Sequence, residues 1–442
     1  MSDTLYTWQS KAIQAWEDAD QRGTVMAPTG SGKTRVATTI ISDWRRNALE
    51  KQEGYGIVVV VPTVRLMKQW YDVMTNELMM DRVGRYGGGH LDRHLSVLVA
   101  VVNSARKLYF SSPNTLLICD EAHRMATERN RVIFGNMTHD AVLGLSATPD
   151  RADGKDVTHL TGDVVYRLGY TQAVEDGVIP EFTVNIVQTK LNGFERGKYK
   201  KMTRTIGMFA SKIAEVWGNR SPMTIPEDQD ENVTFWRNAC MERKRMVNDS
   251  KEREDVLDHL LLRNRGKKIA VFHESVDSIE RMAHKYRQDD VEVDVFHSET
   301  KDGDTQFNRW CNSVPDEGRV LFSCKALKEG INVPSMEVVI MLSGSNDARS
   351  RIQTLGRALR GTAADVYLLY AVGTTDKRGW QEMVQVGQIP HRFLQHTMWD
   401  GSRIVPLGVT HDVGVKPQGD SLMDLLESLS KLRESNINHA QK

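Results

Sequence analysis

Cysteine is scarce in this sequence: Cys119, Cys240, Cys311 and Cys324 are the only four in 442 residues. None forms a Cys-x-x-Cys pair and no His/Cys cluster has zinc-ligand spacing, which excludes a disulfide scaffold and a structural zinc module. Cys119 and Cys324 stand in apolar runs and read as small buried hydrophobes. No apolar run approaches the roughly 20 residues of a membrane span. The opening MSDTLYTWQSKAIQAW also lacks signal-peptide architecture. Membrane and secreted settings are therefore not expected, and a reducing cytoplasm is. An excess of charge of either sign is missing too, with 58 Lys+Arg against 58 Asp+Glu. Any surface for a polyanion must come from local placement of basic residues.

What is present is a folded chain, 40% apolar and 26% charged. Its length is too great for one ordinary core and short for three full domains. Short apolar runs alternate with helical stretches in two blocks, the pattern of parallel α/β sheets. The first block has strand candidates at Thr24–Met26, Ile57–Val61, Val97–Val101, Leu116–Cys119 and Ala141–Leu145. The second has Ile269–Phe272, Val291–Phe296, Val320–Cys324, Val338–Leu342 and Val366–Tyr370. The expected domains are 1–190 and 263–385. A helical, basic connection at 191–262 joins them, and an extension at 386–442 follows. Within the extension Leu422, Leu425, Leu426, Leu429 and Leu432 share a helical face. Packing on the second domain is the first reading of that face, and a partner-binding helix the second.

The chemistry begins at Ala27-Pro28-Thr29-Gly30-Ser31-Gly32-Lys33-Thr34, between a short strand and a helical run. Glycines at these places let backbone N–H groups wrap phosphates. Lys33 neutralises the terminal phosphates, and the Thr34 hydroxyl suits Mg²⁺. Further on, the apolar strand Leu116–Cys119 ends in Asp120-Glu121-Ala122-His123. A strand end aims Asp120 at a metal beside those phosphates, and Glu121 can polarise the attacking water. The catalytic set expected for ATP with Mg²⁺ is thus Lys33, Asp120 and Glu121. Thr34 and Asp120 would be the metal ligands.

Together, the phosphate loop and Asp-Glu-Ala-His resemble superfamily 2 helicases, whose motor is two tandem RecA-like domains with ATP in the cleft between them. Ser146-Ala147-Thr148, directly after a strand, is similar to the family's third motif. That resemblance implies that Ser146 and Thr148, with His123, link hydrolysis to strand movement. Gln353-Thr354-Leu355-Gly356-Arg357-Ala358-Leu359-Arg360 resembles the sixth motif. Arg357 and Arg360 share a helical face and are implied to reach the γ-phosphate as arginine fingers, with Gln353 beside them. Lys325–Pro334 is similar to the fifth motif, where Gly330 permits close backbone approach. There Asn332 replaces the family's frequent Asp, keeping an acceptor oxygen but losing the charge. Tyr6-Thr7-Trp8-Gln9 occupies the place of the adenine-reading segment, with Tyr6 where relatives often carry Arg. Gln9 is expected to bond the adenine edges.

The family's nucleic-acid contacts map onto polar residues at successive strand ends. They are Thr63 and Arg65, then Asn103, Ser104 and Arg106, then His273 and Ser275, then Ser323 and Lys325. The segment Phe194–Arg204 interleaves Lys and Arg with Phe194 and Tyr199. It reads first as a solvated face and second as a nucleic-acid surface.

Three spellings favour DNA over RNA: Gln353 and Leu359 in the sixth motif, VPTVRLMKQW, and SATPDRADG with Arg151 and Asp153. They resemble the XPB-like and phage UvsW-like branch with its DEAH box. That resemblance implies action on single-stranded and branched duplex DNA (forks, D-loops, Holliday junctions) in replication and recombination. It also implies a monomeric motor in a bacterial or phage-infected cytoplasm, with recombination or replication partners reached through the C-terminal helix. Three alternatives stay open: a restriction-system double-stranded DNA translocase, an RNA helicase, and a nucleotide-gated clamp without turnover. No nuclease-like Pro-Asp…Asp/Glu-x-Lys constellation is present.

Overall fold

The computed structural model describes residues 5–125, 127–147, 158–289, 291–314, 318–324, 336–343, 351–352, 355–356 and 364–407. Within them the apolar runs become the strands of two eight-stranded sheets. The first sheet holds β1 (Arg22–Met26), β2 (Gly56–Val61), β3 (Gly84–Gly87), β4 (His90–Leu91), β5 (Val97–Val101), β6 (Thr115–Asp120), β7 (Ala141–Ser146) and β8 (Val164–Arg167). The second holds β9 (Phe182–Thr189), β10 (Ile269–His273), β11 (Val293–Phe296), β12 (Val320–Cys324), β13 (Val338–Met341), β14 (Ala364–Ala371), β15 (Leu394–Trp399) and β16 (Ile404–Pro406). Their orders are β4-β3-β5-β2-β6-β7-β1-β8 and β11-β12-β10-β13-β14-β9-β15-β16. Pairing is parallel except at β3/β4 and β15/β16. This is the architecture of two tandem RecA-like domains.

Parallel sheets covered by helices on both faces need strands that are apolar throughout. β2, Gly-Ile-Val-Val-Val-Val, is buried along its whole length. Each fully buried valine there contributes roughly 1.5–3 kcal/mol, and β-branching fits the pleated backbone. Helix Thr7–Asp18 closes one side of this core through Trp8 and Trp16, and the Trp16 indole N–H donates to the Val142 carbonyl at 2.9 Å.

The structure moves two of the expected boundaries. β9 lies inside 1–190 yet belongs to the second sheet, between β14 and β15, with Ala364 opposite Phe182. β15 and β16 lie in the expected extension yet extend that same sheet. Nearness in sequence misled the assignment, because a parallel strand takes its neighbours from distant segments. The stretch His391–Trp399 in that expected extension is mostly β15 itself, with Trp399 buried.

The connection also divides. Helices Gly193–Trp217 and Glu231–Asn248 form a hairpin with a small core of Ile206, Ala210, Ile213, Val233 and Trp236. Asn192 and Glu195 cap its first helix reciprocally. Helix Lys251–Arg263 instead sends Val256, Leu257 and Leu260 into the core of the second sheet. Among the described residues no helix is long and apolar enough to cross a membrane. The leucine-rich face at 422–432 lies outside them.

Candidate nucleotide cleft and nucleic-acid face

β1 delivers the chain into the phosphate loop, and helix Lys33–Glu50 leaves it. Gly30 and Gly32 hold φ of +89° and +93°, a left-handed conformation that side chains resist. The loop is braced from within: the Ser31 hydroxyl donates to the Pro28 carbonyl at 2.8 Å. The Lys33 ammonium donates to the carbonyls of Ala27 at 2.8 Å and Pro28 at 3.1 Å. Pro28 is buried, Thr29 half-buried, and Gly30 and Thr34 exposed at the start of the helix. A wrapped loop opening an 18-residue helix presents backbone N–H groups and a favourable helix dipole to an anion.

Gln9 has a different place from the one expected. Its amide donates to the Gly32 carbonyl at 3.1 Å and its oxygen accepts from the Tyr6 N–H at 2.9 Å. The side chain is buried, so it ties the N-terminal helix to the phosphate loop rather than offering its edge to adenine. Tyr6 is half-exposed beside it.

β6 ends at Asp120, with β7 between it and β1, so both carboxylates stand at the same sheet edge as the phosphate loop. One Asp120 oxygen accepts from the Glu121 N–H at 2.9 Å, and the other accepts from the Trp70 indole N–H at 2.9 Å. Glu121 holds φ +50°, a left-handed backbone that costs a non-glycine residue about 1–3 kcal/mol and clusters at working sites. Burial beside Asp120 pushes the Cys119 thiol up to about 12, so this cysteine stays a neutral hydrophobe under the site.

Ser146, at the end of β7, reaches both neighbours. Its carbonyl accepts from the Ala27 N–H at 3.1 Å, joining β7 to the phosphate loop. Its hydroxyl lies 3.2 Å from His123 Nδ1, which is itself 3.4 Å from Glu121 Oε2. The expected coupling residues Ser146 and His123 therefore meet, and they meet at the Glu121 carboxylate. Thr148 lies outside the described residues.

On the face beyond, Thr63 caps helix Val64–Asp72 by accepting from the Leu66 N–H at 3.2 Å, and Arg65 is exposed in its first turn. Asn103 and Arg106 bond one another, with Ser104 between them. A feature the sequence reading passed over lies between these loops: the turn Gly87-Gly88-Gly89, all at positive φ. A Cβ on Gly87 would lie 2.7 Å from Ser104 Oγ, and one on Gly88 would lie 2.7 Å from Val64 Cγ1. A run of three glycines was the available signal for it.

The second half contributes less of its expected face. His273 is buried: its Nδ1 accepts from the Ser275 N–H at 3.1 Å and its Nε2 lies 3.6 Å from Asp249. Burial lowers its basicity below the ordinary imidazole range. Ser323 is buried too, donating to the Phe296 carbonyl at 2.9 Å. Both are core-edge residues rather than phosphate contacts, because their strands end beneath neighbouring elements. Ser275 is half-buried and caps helix Val276–Gln288 by accepting from the Ser278 N–H. In the basic segment Phe194 is exposed, while Tyr199 is buried among Leu191, Val247 and Ala371. Gln353, Arg357, Arg360, Gly330, Asn332 and Lys325 lie outside the described residues. Gly356, next to Arg357, is described and sits against the phosphate loop: a Cβ there would lie 2.3 Å from Thr29 Cβ.

Residues 2–151 match the family model "Type III restriction enzyme, res subunit", and residues 252–362 match "Helicase conserved C-terminal domain". The two matches fall on the two halves whose geometry is described above. This chain is a superfamily 2 helicase. The helicase is 27% identical over 394 residues to "DNA 3'-5' translocase XPB2" of Sulfurisphaera tokodaii, covering 85% of this chain and 83% of that one. It is 34% identical to "Putative ATP-dependent RNA helicase QP509L" of African swine fever virus, but over 153 residues, 33% of this chain and 27% of that one. The Hef helicase domain of Pyrococcus furiosus shares its fold with a TM-score of 0.55 and 17% identity, over 85% of this chain and 97% of that one. The helicase thus spans most of one relative and about a quarter of the other. It is an ATP-dependent enzyme by family, and its phosphate loop and paired carboxylates fit that nucleotide.

Proposed function

We propose that this helicase is an ATP-driven DNA translocase that remodels branched DNA: forks, D-loops and Holliday junctions. The observation that carries the choice of DNA is the span of the likeness. A protein named as a DNA translocase matches across both halves, whereas the one named as an RNA helicase matches a third of the chain. The spellings around Ser146–Gly154 and VPTVRLMKQW support the same choice. Branch preference rests on resemblance to compact branch-migration motors.

In the reaction, the phosphate loop binds the β- and γ-phosphates through backbone N–H groups, and Lys33 turns from the carbonyls of Ala27 and Pro28 to the phosphate oxygens. Mg²⁺ would be held by Thr34 and Asp120, whose hydroxyl and carboxylate are hard oxygen donors of the right kind. When bound, it would shield the charge that builds on the transferred group. Glu121 orients the attacking water and draws its proton. Arg357 and Arg360, by their resemblance to the sixth motif, would stabilise the charge on the γ-phosphate. Loss of that phosphate is read by Glu121, His123 and Ser146, which transmit the change through the end of β7 toward the bound strand.

ATP-dependent unwinding of matched fork, Holliday-junction and RNA-duplex substrates tests this reading. Preference for the junction supports it, and equal or better unwinding of RNA overturns it. A second reading, motion along intact duplex without strand separation, is favoured by the restriction-subunit model that matches residues 2–151. Displacement of a triplex-forming strand from linear DNA, with no unwinding of forks, would select that reading.

A further inference from the structure

Trp70 bonds a carboxylate at the end of β6. Its indole N–H donates to Asp120 Oδ2 at 2.9 Å in a buried setting. The other Asp120 oxygen accepts from the Glu121 N–H at 2.9 Å, so each carboxylate oxygen has a donor. Trp70 rides on helix Val64–Asp72, whose first turn carries the Thr63 cap and the exposed Arg65. Five residues at about 100° and 1.5 Å each put Arg65 and Trp70 on nearly opposite faces, about 7.5 Å apart along the axis. One face thus looks to the nucleic-acid side and the other to the nucleotide side.

Both ends of this helix are held. The turn Gly87–Gly89 packs on Val64, and the chain continues directly into the π-helical turn Val73–Glu77. Such turns recur where a helix meets a functional site. Arg85 of β3 lies over the Tyr71 ring at 4.4 Å. The charge of Arg65 also reaches the second half, where with Lys268 it opposes the burial that raises the Cys311 thiol.

We propose that Trp70 is a positioning residue: its indole N–H holds Asp120 in the orientation that the nucleotide's metal ion requires, and its helix carries nucleic-acid contact at Thr63 and Arg65 to that carboxylate. The proposal rests on the reading of Asp120 as the metal carboxylate. An aromatic donor to a ligating carboxylate acts as other outer partners do, and losing one costs about 10–100-fold in metal affinity.

The test is binding of a fluorescent, non-hydrolysable ATP analogue to the full chain, titrated with Mg²⁺, with and without single-stranded DNA. Trp70→Phe keeps a ring in the core and removes the N–H. It should raise the Mg²⁺ concentration for half-maximal binding at least about tenfold. It should leave binding without Mg²⁺ unchanged, and weaken the effect of DNA on that binding. Met67→Ala, which loosens the same helix at a neighbouring buried position, is the packing control and should leave the Mg²⁺ dependence alone. If Trp70→Phe leaves the dependence unchanged, or Met67→Ala shifts it equally, the proposal is overturned. Equal loss of binding with and without Mg²⁺ in Trp70→Phe would likewise reduce Trp70 to packing. Asp120→Asn in parallel separates the two ideas, because an unchanged Mg²⁺ dependence there overturns the site reading itself.

Discussion

Gly356 lies so close to Thr29 that a Cβ on it would fall 2.3 Å from the Thr29 Cβ. The contact joins the segment preceding Arg357 to the phosphate loop, one from each half of the motor. Gly356→Ala must therefore push the halves apart, since the obstacle is the root of a β-branched side chain and cannot swing away. A misplacement of about 1 Å costs on the order of 10²-fold in rate. We expect turnover to fall by that order while the thermal unfolding midpoint stays near the parent's, as the contact adds little to either core. Unchanged turnover would contradict it.

Ser146→Ala should separate hydrolysis from movement. The hydroxyl meets His123, which meets Glu121, while the Ser146 backbone still braces Ala27 in the variant. ATP turnover is expected to stay within about threefold of the parent, and unwinding to drop at least about tenfold, a coupling loss near 1.4 kcal/mol. The ratio of strands separated to ATP consumed measures it. Equal losses in both would place Ser146 in chemistry instead.

A buried ion pair holds the second half behind the hairpin. Arg253, fully buried, bonds Asp376, the Leu342 carbonyl and Asn248, and Asp376 also accepts from the Ala371 N–H at 2.9 Å. Removing one partner of such a pair leaves a buried charge and costs about 3–5 kcal/mol. Asp376→Ala should lose that much in denaturant unfolding of the full chain. Replacing both partners by apolar residues should recover part of it.

Acid should destabilise the second half through His273. Burial lowers its basicity in the fold, so below the ordinary value of 6.5 the unfolded chain binds a proton that the folded chain refuses. Stability therefore rises with pH through this window and is fully present above it. His273→Gln should flatten the decline that sets in as pH falls below 6.5 in urea titrations. A slope as steep as the parent's would assign the effect to other groups.

The phosphate loop and the Asp120-Glu121 pair were legible at their places in the fold because their parts are local. A glycine loop before a helix and two carboxylates after a strand keep their meaning without the rest of the chain. Ten strand candidates became ten of the observed strands to within about two residues, since parallel strands buried on both faces are unbroken apolar runs. The failures are all nonlocal. β9 crosses to the other sheet, and Gln9 spends both ends of its amide on Tyr6 and Gly32. His273 and Ser323 sit at strand ends that neighbouring elements cover. Trp70 is the plainest case. In the sequence it is only part of the spelling VPTVRLMKQW, and its neighbour Asp120, distant in sequence, shows what the indole faces.

The most direct test of the account is steady-state ATP hydrolysis by the full chain, with and without DNA, for the parent, Lys33→Ala and Glu121→Gln. Turnover that DNA accelerates, and that either substitution abolishes while DNA affinity stays within a few-fold, is the predicted result. Turnover that ignores DNA, or survives either substitution, would contradict it.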